Sequence, residues 1–305
     1  IKSGKKYAIL LCASSILLVG DLTYWFFRNN FSKDLRVTFF HVGHGDSCFV
    51  ELPGGKRMMI DWADTGDFTI VPFLLRNKVM RIDYGIITHP QMDHWGGIRN
   101  VMKQIDIREL WIAPIRGDSH YEKFIKEAED MGIKVLRLKG GDTMLINGVE
   151  VKVLNPLQTK CFSPVKNSHD YNNCSIAIRM RYGKRSILFG ADIEYDAQLR
   201  IIRSFKDLKS DVLKVPHHGY PSGFNRDFLM KVNPSVAIIS NSEEVTSRYK
   251  DVLSFYKNMG SDLIITGREG AVFVRTDGEF LEYSTFKKPL RRIVDFLSLS
   301  CEYYN

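Results

Sequence analysis

Short apolar runs, alternating or unbroken, recur along the chain between polar turns that carry Gly, Asn or Pro. A period of two, or a brief continuous apolar stretch, marks strands. It predicts them over 36–42, 46–51, 57–60, 83–88, 108–113, 134–137, 144–153, 175–182, 186–190, 211–215, 235–240, 262–266, 271–275 and 279–282. Helical spacing of apolar positions predicts helices over 68–78, 96–104, 119–131, 194–205, 223–231 and 246–258. Asn147-Gly148 and Gly183-Lys184 supply hairpin turns. The helix at 119–131 has both ends signalled, with Ser119 as cap, Glu122 three residues later and Gly132 as the stop. Strands interleaved with helices predict a layered α/β architecture and argue against an all-helical or Greek-key fold.

The first thirty residues follow a different pattern. Tyr7–Phe27 is a 21-residue apolar stretch whose single charge is Asp21. At about 1.5 Å rise per residue, it can cross a bilayer core of roughly 30 Å. Tyr24, Trp25, Phe26 and Phe27 read as an interfacial belt, and Asp21 costs at most about 2.5–3.5 kcal/mol at mid-bilayer. A cleaved signal peptide and a buried soluble helix are the rival readings. The first lacks a small-x-small cleavage site after the apolar run. Lys2, Lys5 and Lys6 before the span nearly balance Arg28, Lys33 and Arg36 after it, so positive charge sets no orientation. The expected organisation is a transmembrane helix with flanks at 1–30, a globular domain at 31–283 and a basic tail at 284–305. The chain begins with Ile and reads as a piece of something longer.

Composition changes this picture little. A hydrophobic content of 44% over 305 residues supports one large α/β domain. Five of the eight net positive charges lie in residues 1–30 and 284–305, so the globular body is too weakly basic to define a nucleic-acid binder by charge. Lys287–Arg292 could meet anionic lipid or DNA, with a solvated tail as the default. Five cysteines without CxxC spacing exclude a zinc ribbon or redox motif. Cys48 and Cys174 read as core residues, and no disulfide framework is expected.

Chemistry concentrates in three loops that each follow a predicted strand. THPQMDHWGG (88–97) carries His89, Asp93 and His94, followed by Gly96 and Gly97, which let the backbone run closely into the next helix. SILFGADIE (186–194) ends in Gly190 and Asp192, and DVLKVPHHGYPS (211–222) ends in His217, His218 and Gly219. Imidazoles and carboxylates delivered by separate strand ends suit a divalent metal, which a carboxylate can bridge.

These motifs resemble the metallo-β-lactamase superfamily, and more narrowly the soluble domain of ComEC-type DNA-internalisation competence proteins. The resemblance runs over residues 35–283. It rests also on LRVTFFHVGHGDSCFVELPGGKRMMIDWAD (35–64), NNCSIAIRMRYGKRSILFGADIE (172–194) and ITGREGAVFVRTDG (265–278). It implies a four-layer αββα sandwich with a metal site along one edge. It also implies that Asp61, at the end of RMMID, orients a metal-binding histidine, so that Asp61, Asp93 and Asp192 are the catalytic carboxylates.

Departures from the family pattern sharpen the expectation. Gln91 stands where HxHxDH has its second histidine. Asn172 and Asn173 stand where the wider superfamily has another, with His169 close by, and Arg248 lies near an expected Gly-His-Pro. HVGHGD replaces DVGQGD, introducing His41 and His44. One strong site is therefore expected, held by Asp93, His94, Asp192 and one of His217 and His218. A second site, served by His89 and Gln91, is expected to be weakened or empty. Amide oxygen suits Mn²⁺ or Mg²⁺ better than Zn²⁺, and Mn or Zn is the expected metal. His44, Gln91 and Asn173 are the expected substrate contacts.

The resemblance implies a phosphodiesterase or nuclease acting on the non-transported DNA strand, in an extracytoplasmic domain of a cell-membrane DNA-uptake protein. Further channel helices are expected upstream of Ile1. The alternatives are a silent DNA-guiding module of the same channel, or a small-molecule hydrolase such as a lactonase or thioesterase.

Overall fold

The computed structural model describes residues 2–66, 68–157, 161, 167–288 and 291–293. Strands β1 (Leu35–Phe39), β2 (Ser47–Glu51), β3 (Arg57–Trp62), β4 (Arg81–Ile87), β5 (Asp106–Ile112) and β6 (Lys134–Arg137) form one side of a sheet. Strands β14 (Val272–Thr276), β15 (Leu281–Thr285) and β16 (Arg291–Ile293) extend it beyond β1, in the order β16-β15-β14-β1-β2-β3-β4-β5-β6. The second sheet contains β7 (Thr143–Ile146), β8 (Val149–Asn155), β9 (Ala177–Tyr182), β10 (Arg185–Phe189), β11 (Val212–Lys214), β12 (Val236–Ile239) and β13 (Asp262–Ile265). Its order is β13-β12-β11-β10-β9-β8-β7.

Strand periodicity explains the layering. Successive side chains point to opposite faces, so adjacent apolar residues bury both faces of a sheet. Val50, Met58, Ile187 and Val212 belong to the core between the sheets. Their neighbours Phe49 and Met59 pack outward under one helical layer, and Leu188 and Leu213 under the other. The result is the expected αββα sandwich. Each fully buried aliphatic side chain stabilises it by about 1.5–3 kcal/mol.

β3 to β6 run parallel, as do β10 to β13. Their C-terminal ends gather at one edge, and the 88–97, 190–194 and 215–222 loops all emerge there.

The helix predicted at 119–131 is found at Ser119–Asp130, but Asp118 is its cap and accepts from the backbone N–H of His120 and Tyr121. Glu122 reaches back to the N–H of Gly117 (2.8 Å), and Gly132 ends the helix at φ +83°. The helix predicted at 96–104 begins earlier and divides into Met92–Trp95 and Ile98–Met102. A Cβ on Gly97 would lie 2.1 Å from the Trp62 carbonyl oxygen, so close packing of this corner on β3 requires glycine. The short helices Ser168–Asn173 and Thr266–Glu269 and strand β16 carry no strong periodic signal and were not expected.

The cysteines also depart from expectation. Cys161 and Cys174 form a disulfide with Cα atoms 5.6 Å apart, both fully buried in the core between the sheets. The fold, not sequence spacing, makes them partners. Closing a loop of this length stabilises by about 3 kcal/mol in the chain-entropy account. Cys48 is free and buried, as expected of a core residue.

The N-terminal helix, α1 (Lys2–Phe31), is long and apolar enough to cross a membrane. Its window Lys5–Arg28 has a mean hydropathy of 1.7, and none of it is buried against the sandwich. Within it, Trp25 Nε1 donates to Asp21 at 3.1 Å, which offsets part of the cost of that carboxylate. The root of α1 is fixed by Arg28–Glu51 (3.4 Å), by Gly54 N–H to the Ser32 carbonyl (2.9 Å) and by Tyr182 Oη to the Lys33 carbonyl (2.8 Å). These contacts lie at the N-terminal end of β1, whereas the metal-type loops lie at its C-terminal end. At the other terminus, Lys287 donates to the Arg268 carbonyl and Lys288 pairs with Glu269, both at 2.6 Å. Those two lysines of the basic stretch thus hold the helix Thr266–Glu269.

Candidate metal centre

Irregular backbone shapes the site edge. Among the described residues, Asp61, Ala63, Ala191, His217 and His218 adopt positive φ, five of the eight non-glycine residues that do. Such conformations cost on the order of 1–3 kcal/mol each and persist where surrounding structure enforces them. The pairing of β2 with β3 slips between Ser47 and Cys48, opposite the end of β3. That slip and the φ of +58° at Asp61 turn its carboxylate under the 88–97 loop. Gly45 (φ +103°) closes the facing turn, where a Cβ would lie 2.4 Å from the Asp93 carbonyl oxygen.

Asp61 anchors His94. Its Oδ1 accepts from Thr88 N–H, and its Oδ2 accepts from Thr88 Oγ1 and His94 Nδ1, each at 2.8 Å. His218 is oriented in the same way, with its Nδ1 donating to the Ser240 carbonyl at 3.0 Å. With both Nδ1 atoms bonded outward, each Nε2 turns inward. Asp192 Oδ2 lies 3.4 Å from His94 Nε2 and 3.3 Å from His218 Nε2. Asp93 Oδ2 lies 3.8 Å from both rings and 3.3 Å from His44 Nε2. Asp93 is partly open to solvent, whereas His94, Asp192 and His218 are buried.

Asp46 completes the cluster. One ligand atom from each of Asp46, His94, Asp192 and His218 lies within 4.8 Å of the others, and His44, Asp93 and His218 form a second such group. Asp46 ends the HVGHGD segment and was not among the expected ligands. Its oxygen Oδ1 lies 3.5 Å from His218 Nδ1, and its other oxygen pairs with Lys214, buried at the end of β11. Burial opposes the charge on Lys214, but Asp46 and then Asp192 more than reverse that and hold its pKa above the usual range.

The electrostatics call for a positive charge at the centre. Burial alone would raise Asp192, yet His218 and His94 hold it well below the ordinary carboxylate range. Burial alone would lower His94, yet Asp192 and Asp61 hold it well above the usual value. A divalent cation at the centre would meet that demand. His94 Nε2, His218 Nε2, Asp192 Oδ1 and Asp46 Oδ1 are buried without a hydrogen-bond partner. Orphaned groups of this kind are costly unless an ion or water satisfies them. The donor set therefore fits a divalent metal such as Zn.

The other expected residues are arranged differently. His89 Nε2 donates to Gln91 Oε1 at 2.6 Å, and Gln91 Nε2 donates to Ser168 Oγ at 3.0 Å. Burial, then His94 beside it, pushes His89 down to about 3. His217 Nε2 stands 4.0 Å from Asp192, and its Nδ1 meets Ser222 Oγ at 2.8 Å. Asn173, the third expected substrate contact, is engaged by its neighbours. Its Oδ1 accepts from Ala197 N–H and its Nδ2 donates to the His169 carbonyl, so it caps the helix Tyr195–Ser204. His169 reaches Glu194 at 2.7 Å, and Arg248 pairs with Glu244 at the surface.

Residues 42–242 match the Metallo-beta-lactamase superfamily, and the chain belongs to that family. It is similar to ComE operon protein 3 of Bacillus subtilis (strain 168), with 25% identity over 278 residues, 84% of this chain and 35% of that protein. It is 26% identical to Recombination protein 2 of Haemophilus influenzae over 78% of this chain and 28% of that protein. These relatives bear out the resemblance to ComEC-type competence proteins, and the chain spans about a third of their length. Among solved structures, the metallo-beta-lactamase fold protein YhfI of Bacillus subtilis shares the fold at a TM-score of 0.50 and 12% identity. That match covers 77% of this chain and 96% of YhfI. Igni18, a metallo hydrolase of Ignicoccus hospitalis, matches at 0.50 and 13%, over 79% of this chain and 98% of that one.

Proposed function

We propose that this domain is a metal-dependent phosphodiesterase that acts on the non-transported strand in a membrane DNA-uptake protein. One observation carries the reading: His94 Nε2 and His218 Nε2 converge on Asp192 Oδ2, and both ring nitrogens and Asp192 Oδ1 are buried without a hydrogen-bond partner, at the loop edge of a metallo-β-lactamase sandwich. His94, Asp192 and His218 would hold one divalent cation, with Asp93 or Asp46 completing the set. Such a cation, when bound, polarises a phosphoryl oxygen and makes water a competent nucleophile near neutral pH.

The chain's own residues would do the rest. Asp61 and Thr88 fix the His94 ring, and the Ser240 carbonyl fixes that of His218. Asp93 Oδ2, the partly open carboxylate of the centre, would take a proton from the attacking water. His44, whose Nε2 lies 3.3 Å from Asp93 Oδ2 at the mouth, would turn that nitrogen to a phosphate oxygen when substrate binds. Helix α1 leaves the opposite end of the sandwich, so with α1 in a bilayer the mouth would face away from it. The buried disulfide supports an extracytoplasmic domain, because such bonds persist in oxidising compartments.

The hydrogen bond from His89 to Gln91 favours a second reading, a catalytically weak DNA-guiding module. Cleavage of single-stranded DNA with Mn²⁺ separates the two. Wild-type chain should cleave and the double variant Asp93→Ala, His94→Ala should not. Equal cleavage by both would refute the assignment, and metal binding without cleavage by wild type would favour the guiding module.

A further inference from the structure

The rings of the metal centre continue outward along the loop edge. His218 lies 4.9 Å from His44 and 6.5 Å from Tyr220, centroid to centroid. Tyr220 lies 5.3 Å from His217 and 5.5 Å from Tyr249. Both tyrosines are partly exposed. Tyr249 leans on the helical layer of the second sheet, whereas Tyr220 belongs to none of the three hydrophobic clusters. The neighbours of the Tyr220 ring are instead the site rings His44, His217 and His218, with Tyr249 behind it. Pro221 follows it, and the short turns Pro216–Gly219 and Pro221–Gly223 flank it, so the ring stands on a stiff support. Arg248, next to Tyr249 in the chain, pairs with the solvent-exposed carboxylate of Glu244 at 2.8 Å. A surface pair of this kind is weak and readily exchanged for a phosphate.

We propose that Tyr220, backed by Tyr249 and flanked by His44, is a stacking platform for an unpaired nucleobase of a single DNA strand. The base would belong to the nucleotide next to the phosphate at the metal centre. The proposal rests on the phosphodiesterase reading and adds what selects the substrate. Every base offers a flat π face, so such a platform tolerates any sequence but requires an unpaired base. A duplex, whose bases are already stacked and paired, gains nothing there until it opens.

The test is binding of the full chain in detergent micelles, at fixed salt and with Mn²⁺, using phosphorothioate-linked strands that resist cleavage. Fluorescent oligothymidylate is compared with an abasic oligomer of equal length and charge. Wild type should bind the base-bearing strand about tenfold more tightly, the scale of one stacking contact. Tyr220→Ala should erase that preference, Tyr220→Phe should keep it, and Tyr249→Ala should reduce it in part. Equal binding of the two strands by wild type, or a preference that survives Tyr220→Ala, overturns the platform. Tighter binding of oligouridylate RNA than of the DNA strand overturns DNA as its occupant. A base preference without Mn²⁺-dependent cleavage would keep the platform and sink the phosphodiesterase reading. Cleavage without base preference would do the reverse.

Discussion

His94 and His89 leave the same loop, five residues apart and with rings 4.1 Å apart, yet they do opposite things. His94 is anchored from behind by Asp61 and turns a bare Nε2 toward Asp192. His89 has its Nε2 tied to Gln91, which is itself tied to Ser168. Both rings are fully buried. Burial thus does not make a histidine available to a metal. What decides is which nitrogen the supporting residues engage, and where the remaining one points.

The largest effect should come from removing the support behind His94. Asp61→Ala leaves the ring in place but frees its orientation, and partners of this kind are worth about 10- to 100-fold in metal affinity. Titration calorimetry with Mn²⁺ or Zn²⁺ measures it, and an unchanged Kd would mean that Asp61 does not set the ring. A middle-sized effect should come from rebuilding the other half. Gln91→His replaces the amide that engages His89 with an imidazole, and elemental analysis should show bound metal rising from one toward two equivalents per chain. A constant count would show that Gln91 is not what closes the second position. The smallest effect should come from His89→Asn, which should leave the first metal's Kd close to wild type while lowering the thermal midpoint. A fall in affinity matching that of Asp61→Ala would erase the distinction between the two histidines.

Much of this was legible in the chain. Strands β4, β10 and β11 announce themselves as apolar runs, and the loops after them carry His94, Asp192 and His218 where strand ends usually place chemistry. Asp61 was legible only through the family pattern. Asp46 was not, because its place in the cluster depends on Lys214, 168 residues away and on the other sheet. The Cys161–Cys174 bond and the helix Ser168–Asn173 escaped for a related reason. Both lie in a polar connection without periodicity, and tertiary contacts alone give them partners. The bond from Ala197 N–H to Asn173 was not legible, because a polar residue near a site looks alike in sequence whether it faces a cleft or caps a helix. The contrast between His89 and His94 could be anticipated from Gln91, but the bond that produces it is a matter of side-chain geometry.

The most direct test of the account is the number of divalent ions held by the purified full chain after reconstitution with Mn²⁺ or Zn²⁺ and removal of excess metal. The account predicts about one equivalent per chain, lost when His94 and Asp93 are both replaced by alanine. Two equally tight equivalents, or one equivalent that survives that double replacement, would contradict it.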